Sequence, residues 1–324
     1  MADGAASADV DVASGGRSHD LRKAPGAGHA PDAVGKPAPR QIGARTFDFA
    51  RRTAVMAIVN RTPDSFYDGG RTFALRAAVD ACLAAVADGA DWVDIGGMAF
   101  SPDTPEVSAA EELDRVLGVI EAVRAASDVV ISVDTQRPEV ARACVLAGAD
   151  VVNDTTGLRT DGMAQAVAET GASVVIAHSI AQPHRHHRRP EYGDVVGEVA
   201  AFLSSQVQVA LAAGVPAERI IIDPGHDLNK NTRHSLELVR RLEEITALGY
   251  PTLVALSNKD FVGETLNRER PERLWGTLAA TVMCIERGAR IVRAHEVAAT
   301  VDAARMAEAV LGLREPAYLR HNVS

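Results

Sequence analysis

From residue 53 onward the chain alternates between short apolar runs and longer amphipathic stretches. The apolar runs fall at 55–59, 92–95, 129–133, 151–152, 174–177, 220–222, 252–256 and 291–292. Each is short and stopped by a polar residue, the pattern of a buried strand that opens into a loop. Between them, Leu113, Val116, Leu117 and Ile120 fall at helical spacing and form one stripe, with Ser108 and Glu111 ahead as a capping box. Leu238, Val239, Leu242 and Ile245 repeat that spacing, and the phrases DGAD at 88–91 and AGAD at 147–150 read as helix stops. Eight strand–helix units in about 280 residues predict an α/β protein, a single closed (β/α)8 TIM barrel. A doubly wound open sheet usually has fewer strands and often a glycine-rich fingerprint after the first one, which is absent here.

Composition changes the picture mainly at the N-terminus. Residues 1–44 are Ala, Gly, Asp, Pro and His with no aromatic residue, so they cannot bury enough apolar surface to offset their ordering entropy. The expected organisation is a disordered tail over 1–44 and a barrel domain over 45–324. The net charge of -9 argues against a nucleic-acid footprint. No apolar run is seen to approach the roughly 18 residues that span a bilayer, and no export signal precedes the barrel. The expectation is a cytoplasmic protein that engages neither nucleic acid nor membrane. Cys82, Cys144 and Cys284 lie far apart in helical patterns and read as buried thiols in a reducing compartment.

In a (β/α)8 barrel the C-terminal strand ends converge on one site. Here they read Asn60, Asp94, Asp134, Asn153 with Asp154, His178, Asp223, Ser257 with Lys259, and Arg293 with His295. One polar strand end is uninformative, but eight in succession favour a site. Asp134, Asn153 and Asp223 are acceptor-rich and suit a flat heterocycle presenting several N–H donors. Arg293, His295 and Asn60 suit a phosphate-bearing ligand, with Asn60 offering an oxygen to a hard cation. Lys259 can bridge the two ends, and together they suggest a diphosphate ester.

Plainer roles remain open for single residues. Asp223 before Pro224 and Gly225 also suits a turn initiator, Asp134 also suits a cap for a helix starting near Pro138, and Arg293 with His295 also suits a surface pair with Glu296. The cluster His184, His186 and His187, with Arg185, Arg188 and Arg189, lacks ligand spacing and reads as a solvated loop.

The phrases MAIVNRTPDSFYDGG at 56–70, DIGG at 94–97, SVDT at 132–135, NDTTG at 153–157, DPG at 223–225 and RAHEV at 293–297 resemble dihydropteroate synthase, in order and over about residues 53–310. NRTPDSFYD and ALSNKD look like the divergent second synthase paralogue of actinobacteria. The resemblance implies a pterin barrel joining 6-hydroxymethyl-7,8-dihydropterin diphosphate to 4-aminobenzoate. Asp134, Asn153, Asp223 and Lys259 would hold the pterin, Asn60 magnesium (Mg2+), and Arg293 and His295 the diphosphate. Asn60, Lys259, Arg293 and His295 would carry the chemistry. It also implies a homodimer, and sulfonamide or sulfone analogues of aminobenzoate as further ligands.

Departures cluster at the aminobenzoate side. After DIGG the family continues ESTRPG, whereas residues 98–103 read MAFSPD, with Phe100 and Ser101 replacing Thr and Arg. The SRK motif reads Ser257, Asn258, Lys259; GIGFGK reads Gly225, His226, Asp227, Leu228, Asn229, Lys230; Arg61 stands where Val is usual. The expectation is a protein that binds a pterin diphosphate-type ligand with dihydropteroate synthesis weak or lost. An active synthase of folate biosynthesis is the alternative. Another pterin-binding barrel, such as a methyltetrahydrofolate methyltransferase, fits less well, because Arg293, His295 and the TPDSFYDGG loop belong to diphosphate handling.

Overall fold

The computed structural model describes residues 39–60, 70–98, 107–181 and 189–322, without the side chains of residues 60 and 70–74. Residues 1–38, 61–69 with Arg61, 99–106 with Phe100 and Ser101, and 182–188 with His184, His186 and His187 lie outside the described residues. A hairpin of β1 (Arg40–Ile42) and β2 (Arg45–Phe47) precedes eight further strands. These are β3 (Ala54–Asn60), β4 (Trp92–Gly96), β5 (Val130–Asp134), β6 (Val151–Asp154), β7 (Ser173–Ala177), β8 (Ile220–Asp223), β9 (Thr252–Ala255) and β10 (Ala289–Ala294). They pair in parallel, and β10 returns to β3 to close a barrel. All eight predicted apolar runs coincide with these strands.

Side chains alternate across a strand, so one set faces the barrel axis and the other the helices. The inner set starts with Met56, Trp92, Val130, Val151, Val175, Ile221, Leu253 and Ile291, a buried apolar cluster that also contains Ile42, Phe47 and Phe49. The hairpin therefore floors the barrel: the Phe47 ring stands edge-on to Trp92 at 5.7 Å and stacks on Phe49 at 5.6 Å. The hairpin begins at Arg40, inside the stretch expected as tail, because buried Ile42 gives it a place in this floor.

The outer set packs against α1 (Gly70–Ala87), α2 (Ala109–Ala126), α3 (Pro138–Leu146), α4 (Met163–Thr170), α5 (Val195–Ala212), α6 (Thr232–Arg240), α7 (Leu242–Thr246), α8 (Asp260–Leu266), α9 (Leu274–Glu286) and α10 (Val297–Val310). Gly89 and Gly148 take positive φ after α1 and α3, as helix stops require. Only half of the expected capping box forms: Ser108 Oγ accepts from Glu111 N at 3.2 Å, while the Glu111 carboxylate pairs with Arg115. The stripe Leu238–Ile245 is broken at Arg241 into α6 and α7, although its four apolar residues are buried.

One expectation needs correction. α5 spans 18 residues with a mean hydropathy of 1.5, long and apolar enough to cross a bilayer by length and composition. It packs instead against β7 and β8, with Val196, Val199 and Leu203 buried under it.

Candidate functional site

Two residues past the apolar tier, the inward positions become Ile58, Asp94, Ser132, Asn153, Ala177, Asp223, Ala255 and Arg293. The same alternation that fills the core thus lifts five polar side chains into the barrel's upper end. Asp134 lies two residues further along β5, paired in register with Asn153.

Arg293 organises this tier. Its Nε donates to Asp94 Oδ2 at 2.6 Å and its Nη2 to Asp134 Oδ2 at 3.2 Å, and Asn153 Nδ2 donates to the same Asp94 oxygen at 3.1 Å. The guanidinium is thus shared between two carboxylates, and its Nη1 makes no hydrogen bond among the described residues. Asp94 Oδ1 and Ser132 Oγ are buried with no partner among the described residues. Orphaned buried acceptors of this kind are rare in native interiors and are usually explained by an unseen ligand or water. Burial first, then the neighbouring Asp94 charge, pushes the Asp134 carboxyl up to about 7, against the pull of Arg293.

Asp223 closes β8 and accepts from Gly225 N at 2.7 Å, so its turn role is real, yet the buried carboxyl stays in the barrel and burial raises its pKa. Gly225 is obligatory here, at φ +67 and with His178 O only 2.1 Å from where a Cβ would sit. Asp134 is no helix cap: α3 has Arg137 at its N-cap and no side-chain cap. Of the pair at the end of β6, Asn153 faces inward, while Asp154 is spent on the turn, accepting from Thr156 N and Leu158 N, both at 2.8 Å.

His295 and Lys259 stand beside this tier. His295 Nδ1 lies 2.9 Å from Ser257 Oγ, which donates to Glu296 Oε2 at 3.1 Å; Asn258 Nδ2 donates to Glu296 Oε1 at 3.0 Å. Burial lowers the His295 pKa. His295 and Arg293 share no hydrogen bond among the described residues, and neither forms an ion pair with Glu296 there. Lys259, at the N-cap of α8, has its pKa lowered by burial and makes no side-chain hydrogen bond or ion pair among the described residues. Asn60 ends β3, opposite Gly96.

Three features escaped the sequence. Asp94 was visible at a strand end, but not its bond to Arg293, 199 residues away. Lys230 is buried, its Nζ 2.8 Å from His178 Nδ1 and donating to Gly225 O and Leu228 O at 2.9 and 3.0 Å; burial lowers its pKa to about 7. Glu112, fully buried, accepts from Thr135 Oγ1 at 2.6 Å and pairs with Arg137. An Ala at strand position two above a buried Trp would have been equally compatible with the apolar pattern, so only the residue type at 94 hinted at the first.

A family model described as pterin binding enzyme matches residues 56–295. The chain is 47% identical over 271 residues to a Mycobacterium tuberculosis protein called inactive dihydropteroate synthase 2, covering 82% of this chain and 85% of that protein. It is 41% identical over 276 residues to a dihydropteroate synthase of Synechocystis, covering 85% and 96%. Among solved structures, dihydropteroate synthase from Xanthomonas albilineans in complex with 7,8-dihydropteroate aligns with a TM-score of 0.76 at 41% identity, covering 85% of this chain and 99% of that one.

Proposed function

The chain belongs to the pterin-binding dihydropteroate synthase family, and we propose that within it this protein binds a pterin diphosphate-type ligand while making dihydropteroate weakly or not at all. The observation that carries the binding half is the polar tier of Asp94, Asn153, Asp223 and Arg293 with Asp134 above it, in which buried acceptors stand without partners. A reduced pterin presents a fork of N–H donors that such carboxylates and amides can satisfy. Lys259 and Arg293 Nη1, which makes no hydrogen bond among the described residues, would supply donors to its acceptor atoms or to the diphosphate.

The family's reaction breaks the bond to diphosphate, stabilises a cationic pterin intermediate and lets the aminobenzoate amine attack. Buried carboxylates around Arg293 suit such a cation, as preorganised charge aimed at developing charge of opposite sign. His295, held through Ser257, would serve the leaving diphosphate.

Among the described residues no three His, Cys, Asp or Glu side chains gather as an ion cage. Mg2+ commonly takes one or two protein oxygens, several waters and substrate phosphates. An amide oxygen at the strand end fits that donor set, and Asn60 is the residue that would hold it. When bound, the ion would neutralise charge on the leaving diphosphate.

The weak-synthesis half rests on the departures. Phe100 and Ser101 remove an Arg that a synthase can direct at a carboxylate or diphosphate, a loss that often costs about 2–5 kcal/mol when the partner is left buried. The identity to proteins called inactive supports the same direction. The alternative, an active synthase, is favoured by the intact pterin and diphosphate motifs, which the chain shares with active relatives. A cytoplasmic homodimer, and aminobenzoate or sulfonamide and sulfone analogues as second ligands, belong to this proposal.

The test runs purified protein with pterin diphosphate, Mg2+ and 4-aminobenzoate beside an authentic synthase, with a pterin-analogue titration in parallel. The expected outcome is measurable pterin binding with turnover more than about tenfold below the authentic enzyme. Turnover inside that margin establishes the active alternative, and absence of pterin binding overturns the proposal as a whole.

A further inference from the structure

The surroundings of His295 are built on one hydroxyl. Ser257 Oγ, buried just past β9, accepts from His295 N at 3.2 Å, lies 2.9 Å from His295 Nδ1 and lies 3.1 Å from Glu296 Oε2. A hydroxyl has one proton to give and two lone pairs with which to accept. An ionised carboxylate can only accept, so the Ser257 proton goes to Glu296. His295 N takes one lone pair, and the other is left for Nδ1, which must then carry the ring's proton. The opposite assignment would set oxygen lone pairs against each other across the contact with Glu296. All three contacts are satisfied together only when the neutral imidazole is in its Nδ1–H form.

Glu296 is held by neutral donors. Asn258 Nδ2 donates to its Oε1 at 3.0 Å, and no cation pairs with it among the described residues. The Asn258 backbone is pinned in place: its N donates to Thr277 Oγ1 at 3.3 Å and its O accepts from Arg273 Nη1 at 2.8 Å. Its φ of +58 lies in a region that asparagine tolerates better than most residues. The SRK pattern has an Arg at this position, a residue able to meet a carboxylate with a charge. Asn258 satisfies the oxygen and leaves the charge of Glu296 in place, one hydroxyl away from the imidazole.

His295 is exposed, and its Nε2 makes no hydrogen bond among the described residues. With the proton on Nδ1, Nε2 is the atom that gains one when the ring charges. Desolvation of the packed side of the ring disfavours that charge, Glu296 favours it, and Arg293, Arg270 and Lys259 oppose it. Of the charged groups that face the ring, Glu296 is thus the one that favours the imidazolium.

We propose that Glu296 is a positioning residue: through Ser257 Oγ it holds the neutral His295 ring with its proton on Nδ1, which leaves Nε2 to take a proton from solvent and donate it in a hydrogen bond to the diphosphate. The role of the diphosphate rests on the function proposed above, whereas the tautomer and its dependence on Glu296 do not.

The experiment records 15N-imidazole NMR spectra of the full chain across pH, with the His295 signals assigned by their loss in His295→Gln. Inorganic diphosphate is titrated into the same proteins by calorimetry. In the wild type the neutral ring is expected to show a protonated Nδ1 and a bare Nε2, and Ser257→Ala should lose that preference. Glu296→Gln keeps the size and hydrogen-bonding capacity of the side chain and removes its charge. It should move the midpoint of the ring's titration down by about one pH unit. At the wild-type midpoint its affinity for diphosphate should fall about fivefold, because that much less of the ring is charged. A glutamate that merely braces the loop would leave both tautomer and midpoint where they were. A wild-type ring protonated on Nε2, or a midpoint that does not move in Glu296→Gln, overturns the inference. Equal diphosphate affinity in wild type and His295→Gln overturns the diphosphate reading of His295 instead.

Discussion

Asp134 is held between an attractive and a repulsive neighbour. Arg293 donates to it, Asp94 faces it across the same guanidinium, and Glu112 and Asp154 add smaller repulsions. Burial outweighs the arginine, so the native carboxyl keeps its proton to about pH 7. The folded value is raised, so between about pH 4 and 7 the native protein binds a proton that the unfolded chain has released, and this group's contribution to stability falls as pH rises through that window. Its ligand chemistry runs the other way. A heterocycle presenting N–H donors needs the ionised carboxylate, whose fraction rises about tenfold from pH 6 to pH 8 for a group titrating near 7. The affinity for 6-hydroxymethylpterin should rise by a similar factor over that range. In Asp134→Asn the profile should flatten; a wild-type affinity that is constant or falls with pH would remove Asp134 from the pterin's grip.

At the scale of elements, α2 ties the first carboxylate strand to what surrounds it. Glu112, in the first turn of α2, is fully buried and receives Thr135 Oγ1, next to Asp134, together with the Arg137 guanidinium. Arg137, at the N-cap of α3, in turn donates to Val107 O, and Arg115 of α2 donates to Gly97 O, so α2 and its partner arginine hold the backbone at both residues 97 and 107. Removing one partner of a buried pair strands the other charge, and Glu112→Ala should lower the unfolding free energy by about 3 kcal/mol in denaturant titration. A loss below about 1 kcal/mol would mean that Arg137 finds another partner or water. None of this was legible in the sequence, where Glu111 and Glu112 both look like exposed first-turn acids. Helical spacing placed Leu113 and Val116 correctly because apolar burial follows period. Which neighbouring acid turns inward depends on Thr135 and Arg137, more than 20 residues downstream.

On the scale of the whole molecule, the barrel was legible because each strand carries its own apolar run, and closure follows from eight of them. The polar tier was legible as residue types at strand ends. Its pairing was not, since Arg293 meets Asp94 across 199 residues. The helices beyond the barrel raise a different question. Trp275 is 77% exposed on α9 and Met306 and Val310 are 64% and 73% exposed on α10, with Val282 and Met283 also partly uncovered. α9 and α10 pack side by side. Large apolar side chains on adjacent helices are what a monomer avoids and an interface uses, and Trp is the residue type most often found at the energetic centre of one. If this face joins two copies, the full chain should sediment as a dimer at micromolar concentration. Trp275→Glu should weaken association by at least about tenfold, since an aromatic anchor at an interface centre contributes that much or more. The pterin-analogue affinity should hold, because Trp275 lies on the outer helices and the polar tier faces the barrel axis. A monomeric wild type, or a variant that dimerises as tightly, would leave these side chains without the partner proposed for them.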